Sequence, residues 1–272
     1  MAFSTHKSPE YLTSDIFPAG VVHCFTTRRG GVSEGALASL NLGVHRGDRP
    51  ENVRENYRIL GDAVGFAPEQ TVFTRQTHSD LVARVGRENR GEGLYREVGP
   101  ERDGLITNEP GVALTCFSAD CTPILLYDPV RRCVGAVHSG WRGTAAGIVY
   151  RCVERLGAEF GARPEDIRAA IGPCIGQCCF ETDENVPAAM RAALGEDAEA
   201  AIRAAENGKY YVNLKLLNVL WLQRAGVRHI DVCADCTRCA PDRFWSHRYA
   251  GNARGSLASI IMLTNLTGEG SE

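Results

Sequence analysis

One stretch in the middle of the chain constrains the fold more than any other. Two apolar runs, Ile124–Tyr127 and Cys133–His138, are separated by the turn sequence DPVRR, and the loop SGWRG then leads into a helical pattern from about Thr144 to Leu156. Short apolar runs bounded by turn residues are typical of strands that are buried on both faces. The stretch therefore predicts a strand, a turn, a second strand, a loop and a helix in succession.

Similar patterns recur on both sides of this stretch. Strands that alternate with helices indicate an α/β or α+β fold. No repeat, low-complexity tract or linker-like segment interrupts the chain, so we predict a single domain that covers residues 1–272. The expected strands are Val21–Thr26, Leu81–Val85, Asp103–Thr107, Val112–Phe117, Ile167–Ile171, His229–Cys233 and Leu257–Leu263, and the expected helices are Asn52–Val64 and Asn213–Arg224.

Charge and hydropathy exclude several classes of partner. The formal net charge is -3, and Lys and Arg are scattered, which argues against binding to nucleic acid or to an anionic membrane surface. The amino-terminal segment lacks the pattern of a secretory signal, and every apolar run is too short to span a membrane. We expect a cytoplasmic protein, monomeric or weakly homodimeric, that acts on a small molecule.

Three short motifs each place a potential metal ligand at the end of a predicted strand. They are QTHSD with His78, SADCTP with Cys121 and AVHSGWRGT with His138. One Cys and two His suit Zn²⁺ and leave a fourth position for water or substrate, which is typical of catalytic zinc. The alternative is that both His are hydrogen-bonded loop residues and Cys121 is a small buried apolar residue.

These motifs resemble those of the laccase-domain, or polyphenol-oxidase, family over nearly the whole chain. The resemblance rests on QTHSD, DGLIT, ADCTPILLYDP, GAVHSGWRGTAAGIV, AAIGPCIGQCCFE and DCTRCAPDRFWSHR. It implies a mixed β-sandwich flanked by helices in four layers, α/β/β/α. It also implies a single Zn²⁺ held by His78, Cys121 and His138, with Cu as an alternative or adventitious metal.

The resemblance further implies a zinc-dependent purine nucleoside phosphorylase that cleaves adenosine, inosine, guanosine and methylthioadenosine, with accompanying adenosine deaminase activity. Within the late motif, where the family pattern reads FFSYRRDG, this chain keeps Arg248 but has Tyr249 and Ala250 in place of the second Arg and the Asp. Arg248 is therefore carried over as a substrate-binding residue, and the two replaced positions are not.

Arg142 and Asp120 are the candidate catalytic residues besides Cys121. Arg142 lies in SGWRGT at the start of a predicted helix, where backbone N–H groups already favour an anion, so we assign it to phosphate. Its alternative is a surface Arg paired with a local acid. Asp120, or else Glu181, is the candidate proton shuttle for deamination, although either acid could instead cap a helix or orient a ligand His.

Four further residues are candidate substrate contacts. The amides of Asn41 and Gln76 suit a purine edge or ribose hydroxyls, but they could equally satisfy buried backbone groups. Arg28 is a second candidate anion ligand, in a segment, TRRGG, that also reads as a plain turn. Cys174, in IGPCIG, is expected to line the substrate pocket.

The eleven cysteines leave other functions open. The total is odd and includes an adjacent pair, so we expect reduced thiols rather than a disulfide framework. Cys233, Cys236 and Cys239 have the C-x₂-C-x₂-C spacing of metal sites, but no clear fourth ligand follows them. The alternatives to a nucleoside enzyme are a metal-storing or redox-sensing protein, a copper-dependent phenol oxidase, and an amidohydrolase that edits a cell-wall muropeptide precursor.

Overall fold

Two mixed six-stranded sheets face each other in the computed structural model, which describes residues 2–265. A third sheet of three short strands lies apart from them. The strands are β1 (Phe3–His6), β2 (Tyr11–Ser14), β3 (Val21–Thr26), β4 (Thr71–Phe73), β5 (Val82–Arg84), β6 (Gly104–Thr107), β7 (Ala113–Ser118), β8 (Thr122–Asp128), β9 (Cys133–Ser139), β10 (Arg168–Ile171), β11 (Glu181–Thr182), β12 (Ile202–Ala204), β13 (Tyr210–Val212), β14 (His229–Val232) and β15 (Leu257–Leu263).

The strand order brings distant parts of the chain together. The first sheet has the order β1-β2-β3-β15-β7-β4, the second β14-β10-β8-β9-β6-β5, and the small sheet β11-β13-β12. The pairs β4 with β7, β5 with β6 and β10 with β14 are parallel, and the other pairs are antiparallel. The central hairpin of β8 and β9 pairs over its whole length. It lies in the middle of the second sheet, as its apolar runs predict.

Helices cover the outer faces of both large sheets. The helix α1 packs on the first sheet, and α3 and α5 pack on the second. Among residues 2–265, no helix combines the length and the apolar character needed to cross a bilayer. The helices are α1 (Pro50–Val64), α2 (Trp141–Ala145), α3 (Ile148–Phe160), α4 (Asn185–Leu194), α5 (Leu214–Arg224) and α6 (His247–Ala250).

The strand β8 shows how the layers are separated, because one of its faces contacts the other sheet and the opposite face contacts helices. In β8, Leu125 and Tyr127 pack between the two sheets, whereas Ile124 and Leu126 pack against the helices. This alternation follows from the pleat, which turns successive side chains to opposite faces. The four-layer α/β/β/α arrangement and the predicted α/β class are confirmed. The predicted extent of the domain, residues 1–272, stays a prediction because the structure describes only part of that range.

The chain departs from the predicted elements where local patterns are weak. The helix expected from Thr144 to Leu156 is two helices, α2 and α3, because Gly147 between them has a φ of +73°. That left-handed conformation favours glycine and interrupts the helix. The strand β4 and the small sheet were not predicted, since strands of two or three residues are too short to show an alternating pattern.

His23 on β3 gives the fold a sensitivity to acid. The ring is buried, and Nε2 accepts a hydrogen bond from the backbone N–H of Ser14 at 3.0 Å, which requires an unprotonated nitrogen. Burial lowers the pKa of His23 below its usual value of about 6.5. The unfolded chain therefore binds a proton more readily, and His23 costs stability as the pH falls through the pKa of the unfolded state.

We expect the melting temperature to fall between about pH 7 and pH 5, and to fall less steeply in the variant His23→Gln, because that side chain does not titrate in this range. Thermal unfolding followed by circular dichroism at a series of pH values measures both slopes. Equal slopes for the parent and the variant would contradict the assignment of this acid sensitivity to His23.

Candidate metal centre

Two loops and the end of strand β9 bring His78, Cys121 and His138 together. Their ligand atoms all lie within 4.8 Å of one another, and Cys121 Sγ is 3.8 Å from His78 Nε2. His138 ends β9 and is buried, Cys121 precedes β8 and is partly exposed, and His78 lies on an exposed loop between β4 and β5. The site thus has one open side, as a catalytic metal requires.

Asp103, directly before β6, connects the end of β9 to the loop that carries His78. Its carboxylate accepts a hydrogen bond from His138 Nδ1 at 2.7 Å, which leaves His138 Nε2 to face the other ligands. The same carboxylate accepts the backbone N–H groups of Thr77, His78 and Ser79 at 3.0, 3.1 and 2.9 Å. A carboxylate behind a ligand His fixes its tautomer and orientation, so Asp103 positions the centre.

This hydrogen bonding also explains why the backbone of His78 adopts a left-handed conformation, with a φ of +61°. A left-handed conformation is uncommon for a residue with a side chain and persists where the surroundings impose it. Three consecutive N–H groups converge on the fully buried Asp103, which supplies that constraint. Asp103 begins the motif DGLIT, but no role for it was predicted from the sequence. An Asp immediately before a buried strand was the available signal.

The charges in the cluster favour the ligand form of Cys121. Burial acts to raise the pKa of the Cys121 thiol, but His138 and His78 outweigh it and lower the pKa to about 6. Burial acts to lower the pKa of His138, but Cys121 and Asp103 raise it to about 9. For Asp103, burial is opposed by His138 and the backbone N–H groups, which hold the pKa at about 2. Cys121 is thus a thiolate at neutral pH, the form that binds soft metals.

Gly140 leaves the space in which His78 and Cys121 meet. A Cβ atom at this position would lie 2.6 Å from His78 Cδ2 and 3.1 Å from Cys121 Sγ. The backbone of Gly140, with φ −70° and ψ 172°, is accessible to any residue, so the requirement for glycine is steric. The absence of a side chain here, together with the donor set, fits a soft divalent ion such as Zn²⁺.

We expect Gly140→Ala to weaken zinc binding about tenfold or more, because the added methyl group displaces the His78 ring from its ligand position. Competition with a chelator of known affinity measures this. Gly157→Ala is the matched control, because Gly157 lies in α3 without a positive φ and its added Cβ would meet only Ala162 O, at 3.3 Å. Equal zinc affinities for the two variants would refute the steric role of Gly140.

Arg142 lies where an anion ligand can act. It is exposed in the first turn of α2, two residues after Gly140, and its guanidinium stacks on the Trp141 ring at 4.2 Å. No hydrogen bond or ion pair of its side chain is recorded within residues 2–265. Its assignment to phosphate stays a prediction.

Asp120 holds loops together. It is almost fully buried with a φ of +90°, and its carboxylate accepts hydrogen bonds from Thr237 Oγ1 and Arg248 N, both at 2.6 Å. Its carbonyl accepts the N–H of Ile175 at 2.9 Å. Both carboxylate oxygens already accept hydrogen bonds. Asp120 is therefore better suited to hold the adjacent Cys121 in position than to transfer protons. Glu181, the alternative shuttle, lies on the small sheet against Tyr211 and Asn207.

Two of the expected substrate contacts have no exposed surface. Asn41 is fully buried, where Oδ1 accepts the N–H groups of Gly43 and Ser256, both at 3.0 Å. Cys174 is also fully buried, and Thr237 N–H donates to its carbonyl at 3.1 Å. The expectation that Cys174 lines the substrate pocket is therefore corrected, and Asn41 satisfies buried backbone groups, the alternative that its amide left open.

The other three expected contacts use their polar atoms within the protein. Gln76 clamps the backbone of Phe117, accepting its N–H at 2.7 Å and donating to its carbonyl at 2.9 Å. Arg28 donates to the carbonyls of Ala38 and Pro241, and Arg248 donates to those of residues 179 and 181. Direct contacts of these three with substrate stay predictions, and the structure shows each of them tying loops together.

A cleft of about 570 Å³ is lined in part by Gln76, which lies two residues before His78 in the sequence. Its walls combine the ring of Phe117 with Arg46 and other polar residues, and its volume is in the usual range for a small-molecule site. The metal ligands themselves do not line it. The cleft offers a flat apolar wall together with cationic groups.

Arg254 is a cationic group that the sequence analysis missed. Its Nε is buried and has no hydrogen-bond partner among the described residues. Burial and the nearby Arg46 lower the pKa of Arg254 to about 10, whereas Asp120 and Cys121 act in the opposite direction. Arg46 also lines the cleft, which gives the cleft a cationic group whose charge acts on Arg254. Such a pair of cationic groups favours a bound anion.

Comparisons with known proteins agree with the motifs and with this geometry. A family model described as multi-copper polyphenol oxidoreductase laccase matches residues 22–264. Purine nucleoside phosphorylase YlmD of Geobacillus stearothermophilus is 38% identical over 247 residues, 89% of this chain and 90% of that protein. Purine nucleoside phosphorylase YfiH of Escherichia coli is 35% identical over 247 residues, 90% of this chain and 95% of that protein.

Solved structures show the same architecture. The crystal structure of YlmD from Geobacillus stearothermophilus superposes with a TM-score of 0.90 at 37% identity, covering 94% of this chain and 96% of that chain. The Neisseria meningitidis protein NMB0706 superposes with a TM-score of 0.82 at 34% identity, covering 97% and 99%. With the match of the family model over most of its length, the chain therefore belongs to the laccase-like family described as multi-copper polyphenol oxidoreductase laccase, which the resemblance of its motifs predicted.

Proposed function

We propose that the protein is a zinc-dependent purine nucleoside phosphorylase that cleaves adenosine, inosine, guanosine and methylthioadenosine, with accompanying adenosine deaminase activity. The observation that carries the proposal is the triad of His78, Cys121 and His138, which Asp103 orients from behind. A cleft of suitable size for a small molecule includes Gln76, two residues before His78, in its lining. The names of the relatives, which are 35–38% identical, support phosphorolysis.

His78, Cys121 and His138 would hold the ion. When bound, Zn²⁺ supplies a Lewis acid that polarises an oxygen or a purine ring and lowers the pKa of a coordinated water to about 7. The protein itself keeps Cys121 deprotonated and aims His138 through Asp103. These residues thus prepare the site before any ligand enters it.

Phosphorolysis needs phosphate in line with the glycosidic bond. A phosphate oxygen bonds to the anomeric carbon of the ribose, the bond from that carbon to the purine nitrogen breaks, and the departing base takes a proton. Arg142 has an exposed guanidinium that can bind phosphate through two parallel hydrogen bonds. The flat wall at Phe117 suits the base. Deamination of adenosine needs no phosphate, so the two activities separate experimentally.

The first experiment is a product assay. Zinc-loaded protein is incubated with adenosine and with inosine, with and without phosphate, and inosine, adenine, hypoxanthine and ribose-1-phosphate are quantified. The proposal predicts release of base only with phosphate, and formation of inosine from adenosine without it. Turnover of a muropeptide precursor by a protein inactive on nucleosides would favour the amidohydrolase alternative, and oxidation of phenols by copper-loaded protein alone would favour the oxidase.

We expect Arg142→Gln to lower kcat/KM for phosphate about 10- to 100-fold, because a hydrogen bond to a charged group contributes about 1.5–3 kcal/mol. Deamination of adenosine by the same variant should be unchanged, which controls for folding and metal content. Arg254→Gln is measured in parallel. If only Arg254→Gln loses the phosphate dependence, phosphate lies between Arg254 and Arg46, and the assignment to Arg142 is wrong.

A further inference from the structure

Four cysteines outside the proposed catalytic site bring their sulfur atoms together. Cys178 and Cys179 lie on the turn between β10 and β11, and Cys236 and Cys239 lie on the loop between β14 and α6. All four Sγ atoms lie within 4.8 Å of one another. Cys239 Sγ is 3.6 Å from Cys178 Sγ and 3.4 Å from Cys179 Sγ. Two segments separated by more than fifty residues thus converge on one point.

These distances match a tetrathiolate metal site. With Zn–S bonds of about 2.3 Å, the sulfur atoms of a tetrahedral site lie about 3.8 Å apart. A disulfide needs a separation of about 2.05 Å, and none of the four thiols is bonded to another in the structure. Cys236 and Cys239 also have the C-x₂-C spacing that commonly supplies two ligands to structural zinc. Four soft donors with this spacing favour Zn²⁺ over harder cations.

Gly176 supports the group from one side. Its N–H donates to Cys236 Sγ at 3.1 Å, and a Cβ at this position would lie 3.1 Å from Cys178 Sγ and 3.2 Å from Cys236 Cβ. The backbone of Gly176 therefore approaches the sulfur atoms closely, and a side chain here would have to displace them by a few tenths of an ångström. N–H donors to metal-bound thiolates are typical of the surroundings that orient ligands and stabilise their charge. The N–H groups of Cys179 and Phe180 close this turn on the Gly176 carbonyl, both at 3.0 Å.

Arg248 holds the same turn in place from outside. Its guanidinium donates to the carbonyls of Cys179 and Glu181 at 3.1 and 3.0 Å. It therefore brings a positive charge near four thiolates, whose net charge would be negative even with a divalent ion bound. Arg248, which this chain shares with the family pattern in the late motif, thus has a structural role in this turn.

The cysteine group is joined to the proposed catalytic centre through Thr237. This residue lies between Cys236 and Cys239, is fully buried, and donates to Asp120 at 2.6 Å. Asp120 directly precedes the metal ligand Cys121. An ion on the four cysteines would therefore fix the loop that supports Cys121.

We propose that Cys178, Cys179, Cys236 and Cys239 bind a second Zn²⁺ ion, in a structural site distinct from the His78, Cys121 and His138 centre. Two of the four ligands come from upstream in the sequence, Cys178 and Cys179, and Cys233 is not part of the group. Cys233 is buried in the core between the two large sheets instead. This proposal does not rest on the proposed enzymatic function, so either proposal can fail without the other.

The test is metal analysis of the full chain, purified under reducing conditions. We expect about two zinc ions per chain in the parent protein, about one in Cys236→Ser and in Cys178→Ser, and about two in the control Cys233→Ala. Cys121→Ala should also retain about one ion. That variant keeps the four-cysteine site without altering its ligands, so the proposal remains testable even if the other variants fail to fold.

Cobalt loading of Cys121→Ala then identifies the ligands. We expect strong sulfur-to-metal charge-transfer absorption and a tetrahedral ligand-field spectrum, both lost when zinc displaces the cobalt. Absence of metal from Cys121→Ala, with its four thiols reacting freely toward a thiol reagent, would overturn the proposal. So would a disulfide between any two of these cysteines, found by mass spectrometry of the parent protein under non-reducing conditions.

Discussion

Replacing Cys121 by Ala is expected to abolish nucleoside turnover and to remove one zinc ion per chain, while the fold remains intact. The thiolate is the one anionic ligand of its triad, and without it two imidazoles alone hold a divalent ion weakly. Cys121 is partly exposed at the end of a loop, so its removal creates no large cavity in the core. The measurements are metal content, the product assay and thermal unfolding.

Cys133→Ala is the matched control for this variant. Cys133 begins β9 at the end opposite to His138 and is fully buried against the helices. Loss of its sulfur should lower stability slightly and leave both zinc content and turnover at the parent level. If Cys121→Ala retains the parent zinc content, or if it retains full activity, the ligand assignment is wrong.

The second large effect is expected for Asp103→Asn. We predict a loss of zinc affinity of about 10- to 100-fold, the usual cost of removing the partner of a ligand His. An Asn side chain offers one carbonyl oxygen where the carboxylate offers two, and its NH₂ group would face N–H donors. Because Asp103 is fully buried and bonded to His138, the folded state should also lose about 3–5 kcal/mol.

Asp128→Asn separates these effects from the general cost of altering a buried acid. Asp128 is equally buried but lies at the opposite end of β8, where Oδ1 accepts the N–H groups of Val130 and Arg131 at 2.7 and 3.0 Å. Chelator competition should show parent zinc affinity for this variant, and denaturant unfolding reports the stability of both. Similar zinc affinities in the two variants would remove Asp103 from the positioning of the centre.

Strong local patterns made most of the architecture predictable from the sequence. The strands β3 and β15 begin and end where the apolar runs do, and the hairpin of β8 and β9 follows from two apolar runs around DPVRR. A strand that is buried on both faces is apolar at most of its positions, so its pattern is visible without any partner. The strands of the small sheet have no clear apolar pattern, so nothing in the sequence indicated them. They form only through pairing with their neighbours.

The sequence by itself determined the α/β class, and the resemblance of its motifs to a known family indicated the four-layer fold. The residue types of the three candidate metal ligands suggested a zinc site, and the resemblance strengthened that hypothesis. The tertiary structure alone decided which polar side chains form hydrogen bonds within the protein. Asn41, Gln76, Arg28 and Arg248 have side chains that suit a substrate equally well, and only the folded chain shows their hydrogen bonds to distant backbone groups.

The same reason explains Asp103 and the four cysteines. A carboxylate that collects four N–H groups from loops distant in sequence, and thiols that meet across about sixty residues, are products of sheet order and loop packing. Side-chain chemistry is local and readable in the sequence. The choice of partner depends on long-range packing, which only the tertiary structure decides.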